Sequence, residues 1–526
     1  MELSFLLASV VAVLILRTVI KRILYPRPLP GIPYNKESVK RVSGDHSAIV
    51  ATYEKLTEWS FPIGRRSLDY GSPIHQLFLN PFAKPYVLID DPREVSDIIL
   101  RRNKEFDKTT MPGVWQTLIP NSTIAKPTTE EWKSQRRAWQ DTMHPDFLRR
   151  VVAKNIYAAA VDLTTLWAAR CAKANESPVD VRGDFSFAAL DAIWTATFGD
   201  RLQLNCRRGA LWPAFSRWRL KRNSTYRKYM EMKDREIDRI LRDASARFQR
   251  VLDGSGSGEE HDTCAMDLVL RRNMLAAQKA GMPVPDPTKD ANLRDELLLF
   301  IYAGHDTTST TLQWWVKFMT NNQQAQSKLR ETLRAAFGSS SIPSVEALTS
   351  KDIPYLNATI EETLRCAGTA SRLVRVATTD TEILGHKIPA GTEIAGLTAV
   401  RWQPAPVAEE CRSASSRAAL EKSGGNDWVH QPSAQDLDKF VPERWLKIDE
   451  MGNEIFDSGS LPQNAFGGGT RGCFGRRLAM MELRIMITLT VISFKFLPVP
   501  PELNSFQAKE ELLRSPHQCF VKLETA

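Results

Sequence analysis

One cysteine, set in the run Phe466-Gly467-Gly468-Gly469-Thr470-Arg471-Gly472-Cys473-Phe474-Gly475, constrains this chain more than any other stretch. Glycines let the backbone approach a flat ligand and free amide N–H groups to point at the sulfur. The following run, Arg476 to Leu483, reads as a helix. A sulfur beside a helix N-terminus and a fixed cation, Arg471, is expected to be held as thiolate, the form that binds metal. With no CxxC partner, a lone thiolate suits an iron whose other ligands come from a macrocycle. The bland alternative is a buried free cysteine, the commoner fate of an arbitrary one. A phosphate cradle fails, because no Gly-Lys-Ser/Thr or GxGxxG frame follows a strand here.

Phe466, Gly469, Arg471, Cys473 and Gly475 fill every fixed position of the pattern FxxGxRxCxG. Background composition gives such a match in on the order of one chain in ten thousand of this length. The loop resembles the haem-binding loop of the cytochrome P450 superfamily, in which that cysteine is the proximal iron ligand. The resemblance implies a mainly α fold with small β regions. It also implies haem b held between a long helix and the cysteine loop.

The chain has 526 residues, 43% hydrophobic and 25% charged, enough for a large core. A length prior of about 150 residues per domain would divide it, yet no internal linker supports a split. Seven cysteines (171, 206, 264, 366, 411, 473 and 519) are odd in number and scattered. That disfavours a disulfide framework and points to a reducing compartment. The net charge of +9 is compatible with nucleic acid, anionic lipid or an acidic protein, and charge alone does not choose.

Leu3 to Ile20 is almost wholly apolar, interrupted by Ser4, Ser9, Arg17 and Thr18. As a helix it would rise ~27 Å, enough to span a bilayer if Arg17 snorkels. Positive charge follows this run at Lys21, Arg22 and Arg27 and does not precede it, which predicts an uncleaved anchor with the body on the cytosolic side. Pro26-Arg27-Pro28-Leu29-Pro30-Gly31-Ile32-Pro33 reads as an extended spacer. The expected layout is a transmembrane signal-anchor over 1–20, a Pro-rich linker over 21–33 and a catalytic body over 34–526, similar to microsomal members of the family.

Further along, Tyr86-Val87-Leu88-Ile89 predicts a strand leading into a helix from Pro92 to Arg101. Residues 107–126 read as a long functional loop. A helix opens near Thr128-Thr129-Glu130-Glu131, placing Trp132 and Arg136 on one face. By resemblance these two contact a haem propionate, although most Trp-x-x-x-Arg pairs are ordinary packing. Residues 146–198 read as helical. Residues 207–250 mix Trp212, Phe215, Trp218 and Tyr226 with many cations, either a face for lipid headgroups or two solvated helices.

Asp290 to Thr320 predicts a helix about 45 Å long. An apolar stretch there runs into Ala303-Gly304-His305-Asp306-Thr307-Thr308, which buries polar groups at a weak point. It resembles the family segment that crosses the distal haem face. The small residues would leave room for dioxygen, and Asp306 with Thr307 would relay protons. His305, at the variable position, is read as packing or solvent-facing. Glu362 and Arg365 stand three apart, with Arg444 in Pro442-Glu443-Arg444-Trp445. By resemblance these three form a buried structural triad under the cysteine loop, since buried charges persist only when paired. Arg375 matches a propionate-binding arginine, and Arg471 is implied as another. Two departures stand out. Cys366-Ala367-Gly368-Thr369 replaces the usual His-Pro-Pro, and extra length from about Pro404 to Asn426 reads as a solvated loop.

The implied activity is monooxygenation of a hydrophobic organic molecule, with Cys473 as the metal ligand. The substrate is expected in fungal secondary metabolism. No flavin or nicotinamide fingerprint appears, so electrons are implied to come from NADPH through a membrane-bound cytochrome P450 reductase, with cytochrome b5 as an optional second donor. That partner would dock on the basic face near Arg476 and Arg477, giving the charge a use without nucleic acid. The implied location is the endoplasmic reticulum membrane. The alternative is a haem–thiolate isomerase or dehydratase working without a reductase. Such relatives typically lack the acid–alcohol pair that is intact here. A membrane-tethered haem-free binding protein is a third reading, separable by a reduced carbon-monoxide spectrum.

Overall fold

The computed structural model describes residues 11, 13–16, 24–79, 83–108, 114–173, 177–199, 224–252, 262–338, 342–425 and 427–526. Most of the expected anchor, the aromatic positions Trp212, Phe215 and Trp218, and the glycine-serine run 254–258 lie outside them. Among the described residues no helix is long and apolar enough to cross a membrane.

β1 (Ile74–Leu77) and β2 (Tyr86–Ile89) pair antiparallel, Ile74 opposite Ile89, and every residue of both is buried. The continuous apolar run of β2 belongs to a strand covered on both faces, whereas β1 buries His75 and Gln76 as well. β2 stops at Asp90-Asp91-Pro92. Proline suits the first helical position, and Asp91 accepts the Glu94 N–H, so α1 (Pro92–Leu100) starts there as expected. β3 (Phe106–Asp107), β4 (Arg372–Ala377) and β5 (Glu393–Leu397) complete a five-stranded sheet ordered β1-β2-β5-β4-β3. The β3–β4 register sets Asp107 opposite Val376, beside Arg375.

α2 (Glu130–Ala138) opens where the acidic turn predicts, with Thr129 capping the Trp132 N–H. The helical stretch expected over 146–198 divides into α3 (Ala153–Lys173) and α4 (Arg182–Phe198), with a short strand, Val179–Asp180, between them. α4 ends at Gly199 with φ +85°, a left-handed cap that favours glycine. α5 (Ala291–Asn321) is the long helix, capped by Asp290, and α6 (Pro354–Ala367) carries Glu362 and Arg365. α7 (Ala414–Lys422) and α8 (Arg476–Ser493) follow, the latter starting three residues after Cys473.

The main core lies between α3, α4, α5 and α8. Trp167 packs edge-on against Phe185, Phe494 and Phe496 at 5.4–6.1 Å, and Trp315 meets Phe496 at 5.4 Å. Burying such rings contributes area plus about 0.5–1.5 kcal/mol per well-oriented pair. This cluster fixes α5 rigidly along its C-terminal half.

Two loop expectations are corrected. The 107–126 loop carries a helical turn, Val114–Leu118, and Trp115 lies 6.4 Å from Tyr302 of α5. The extra length after Arg401 is not a solvated loop. It contains α7 and a buried ion pair, because its Arg and Ser side chains meet carboxylates of α1.

Candidate active site

Cys473 is held by backbone geometry. Its N–H donates to the Phe466 carbonyl at 2.8 Å, closing the loop, and the Gly475 N–H is directed at the sulfur. Gly469, at φ +61°, lies so close to the Ile99 carbonyl that a Cβ would collide with it. Cys473 is an exposed residue, yet protein crowds its thiol closely enough to desolvate it. That burial pushes the thiol up, outweighing the Gly475 N–H and the cations Arg136 and Arg476. In the protein without its metal, then, burial outweighs the loop and its cations at this thiol. Metal coordination must displace the proton, and the nearby cations are Arg136 and Arg476, not Arg471.

α5 crosses above this loop. Phe300 meets Phe474 at 6.2 Å. Beyond it, Ala303 and Asp306 are exposed and Thr307 is half-buried, at spacings that share one helix face. The Thr307 hydroxyl donates to the Ala303 carbonyl at 2.7 Å. Gly304 has a different role from the one expected. An added Cβ there would lie 2.6 Å from Ile193 Cγ1, so its smallness lets α4 approach α5 and does not enlarge the distal space. His305 turns toward the Ser186 backbone, with Nδ1 3.8 Å from Asp306.

Four cations gather near the cysteine loop. Arg136 donates to the Gly472 carbonyl at 2.8 Å, Arg471 to the Lys126 carbonyl at 3.1 Å, and Arg375 to its own neighbour Val374. Arg471 Nη1 is buried with no partner. Lys108, which the sequence reading missed, joins them. Burial, then Arg471 and Arg375, drive its ammonium down to about 7, and burial takes Arg471 down to about 10. Asp107 is their carboxylate, and it already accepts from Thr128 N–H and Oγ1. Buried guanidiniums short of anions fit a group bearing carboxylates. Trp132 participates differently from the expectation. Its indole N–H goes to the Thr123 carbonyl at 2.9 Å, and its ring lies under Arg136 (5.3 Å) and Arg471 (4.3 Å). It therefore orients the guanidiniums by cation–π contact, while its indole N–H is taken by a backbone carbonyl.

Glu362, Arg365 and Arg444 meet in a buried cluster. Arg365 donates to both Glu362 oxygens at 2.7 Å and Arg444 to Oε1 at 3.0 Å. Trp445 Nε1 adds a donor at 3.0 Å and the Val441 N–H another at 2.7 Å, neither of them anticipated. Further arginine donors reach the Cys366 sulfur and backbone carbonyls, among them those of Leu437, Lys439 and Gln435. The two arginines thus tie α6 to the segment that leads toward the cysteine loop.

A second titratable residue that the sequence reading missed is Glu482 of α8, beneath Thr308. Burial pushes it up to about 8, and its Oε1 has no partner. A carboxyl raised on folding stabilises below its ordinary range and loses that contribution as pH rises through about 8. Glu482→Gln is therefore expected to flatten the fall in stability between about pH 4.5 and about pH 8, by at most about 1.4 kcal/mol per pH unit. Melting midpoints of wild type and variant at acidic and mildly alkaline pH check this.

Comparisons with known proteins bear on family and fold. A family model described as cytochrome P450 matches residues 69–399 and 435–523. A cytochrome P450 monooxygenase of Pestalotiopsis microspora is 31% identical over 98% of this chain and 98% of its own. One from Fusarium sporotrichioides is 31% identical over 95% of each chain, and one from Penicillium crustosum 28% identical over 96% and 93%. Among solved structures, a crystallised cytochrome P450 superposes with a TM-score of 0.67 at 17% identity, over 95% of this chain and all of that one.

Proposed function

The chain belongs to the cytochrome P450 family, and on that premise we propose that it oxidises a hydrophobic fungal secondary metabolite at the face of α5 above Cys473. It is a monooxygenase, and family membership implies a haem–thiolate centre, a redox partner and a small-molecule substrate. The observation that carries the residue assignment is an exposed cysteine in a glycine loop, with an exposed acid and an alcohol about two turns beyond the Phe300–Phe474 contact on α5.

Bound haem supplies dioxygen activation and insertion of one oxygen atom into the substrate. Cys473 ligates the metal. Arg136, Arg375, Arg471 and Lys108 bind the carboxylates of the macrocycle, with Trp132 beneath two of them. Asp306, its side chain half exposed, takes protons from solvent and passes them inward. Thr307 has committed its hydrogen to Ala303, which leaves its oxygen as an acceptor for a proton-bearing group. Glu362, Arg365 and Arg444 position the loop and take no part in proton transfer.

The electron donor is an NADPH-dependent flavoprotein reductase that docks near Arg476 and Arg477, both exposed at the start of α8. The apolar N-terminus anchors the body to the endoplasmic reticulum, with 34–526 as one catalytic unit. Trp115, Tyr302, and Thr369 (3.0 Å from Thr311) line the approach. Asp306→Asn is expected to slow product formation about a hundredfold while leaving the carbon-monoxide spectrum unchanged. Assays with a purified reductase check it, and an unaltered turnover rate removes Asp306 from the proton path.

A further inference from the structure

The family model passes over residues 400–434, yet this segment is closely engaged with α1. Arg412 donates from Nη1 and Nη2 to the two Asp91 oxygens at 3.2 and 2.7 Å, both side chains buried. Asp91 is also the N-cap of α1, accepting the Glu94 N–H at 2.7 Å. One turn on, the Ser413 and Ser415 hydroxyls both donate to Asp97 Oδ2, at 2.6 and 2.9 Å. Arg93 reaches outward from α1 to Glu409 at 2.6 Å and Asp427 at 3.1 Å. The inserted segment thus grips α1 at its cap and again in its middle.

Elsewhere α1 bears on the cysteine loop and its approach. Ser96 Oγ donates to Asn464 Oδ1 at 3.0 Å, and Asn464 Nδ2 donates to the Pro92 carbonyl at 3.3 Å. Leu100 lies against Gly468 and the Ile99 carbonyl against Gly469, so closely that neither glycine has space for a Cβ. Interiors packed this densely transmit displacement and do not absorb it. A shift of α1 is a shift of the loop that directs the Gly475 N–H at Cys473.

We propose that the segment from 404 to 425 is a positioning clamp for the iron-ligating loop, with Arg412 setting the seat of Cys473 through Asp91 and α1. The proposal rests on the reading of Cys473 as the metal ligand. Arg412, Ser413 and Ser415 are positioning residues and touch neither substrate nor cofactor. Groups that act through a ligand's hydrogen-bonding shell alter metal affinity and ligand basicity. Loosening the clamp lets α1 and the glycine loop shift together, so Cys473 is less firmly seated as ligand, and the ligand-sensitive carbon-monoxide band reports that loss.

The test uses the purified full-length holoprotein and four variants: Arg412→Ala, Ser413→Ala with Ser415→Ala, Asp91→Asn with Arg412→Gln, and the control Val521→Ala. Val521 sits in the strand Phe520–Thr525, whose sheet does not include α1 or the loop. The readouts are the ratio of thiolate-type to thiol-type carbon-monoxide bands and the reduction potential, set against melting midpoint. Arg412→Ala and the serine pair are expected to raise the thiol-type fraction about threefold or more over an equally destabilised control. The Asn/Gln pair, which keeps hydrogen bonds without buried charge, is expected to return most of it. Should Arg412→Ala fail to accumulate, the serine pair decides, because Asp97 retains Arg101 at 2.5 Å. Band ratios and potentials that merely track melting overturn the clamp. A wild-type protein with no thiolate-type band overturns the reading of Cys473 itself, and the clamp with it.

Discussion

Cys473→Ser is expected to abolish the thiolate-type carbon-monoxide band and all measurable substrate oxidation while leaving the polypeptide folded. The side chain has little structural duty. Its backbone N–H to Phe466 survives the substitution, and the Gly475 N–H finds a hydroxyl oxygen in place of sulfur. Away from core contacts such a change lies within about 0.5 kcal/mol, so the apoprotein melting midpoint should barely move. What changes is the ligand: a hydroxyl is harder and far less acidic than a thiol, and does not push electron density toward oxygen cleavage. Cys473→His separates ligand identity from ligand loss. An imidazole can hold iron but is neutral, so this variant should retain pigment and lose oxidation. If Cys473→Ser keeps its pigment with the native spectrum and the native rate, the assignment of this residue is wrong.

That test can be designed from sequence because the site's chemistry is local there. Cys473 and its glycines are contiguous, Glu362 and Arg365 share a helix face, and Asp290 caps a helix whose apolar run is plain. Each is a short-range pattern with a physical reason for its spacing. The parts that were not legible depend on pairing across long separations. Lys108 reaches the cation cluster only because β3 lies against β4, more than 250 residues away in the chain. The Trp445 indole reads as core filler until α6 brings Glu362 to it. Gly304 looked like space for a ligand, and only the neighbouring helix supplies the Ile193 that fills it. The extra segment after Arg401 misled for a related reason. Arg, Ser and Glu denote solvent in composition, but Arg412 and Ser413 found buried carboxylates on α1. Nor could local pattern foresee that burial dominates the Cys473 proton, since that balance depends on the whole surrounding wall.

The second large effect is expected at Glu362. Its two oxygens collect donors from Arg365, Arg444, Trp445 and the Val441 backbone. Burial alone would raise this carboxyl, but Arg365 and Arg444 outweigh it and hold Glu362 below the ordinary range. Glu362→Gln removes one charge and strands two buried guanidinium cations, a loss of about 3–5 kcal/mol. That is a large fraction of the margin of a natural domain, so little holoprotein should accumulate, and what does should unfold at much lower denaturant. Glu362→Asp keeps the charge but shortens the reach, and should recover only part. The pH dependence has a definite sign. A carboxylate depressed on folding contributes fully above its ordinary range and loses that contribution as pH falls through the folded value. Wild type should therefore lose stability on acidification through this group, and Glu362→Gln should lack that part of the slope. Denaturant midpoints for both proteins at neutral and acid pH decide the matter. Parallel slopes would mean that Glu362 is already neutral in the fold, and that the triad is held by hydrogen bonds and not by charge.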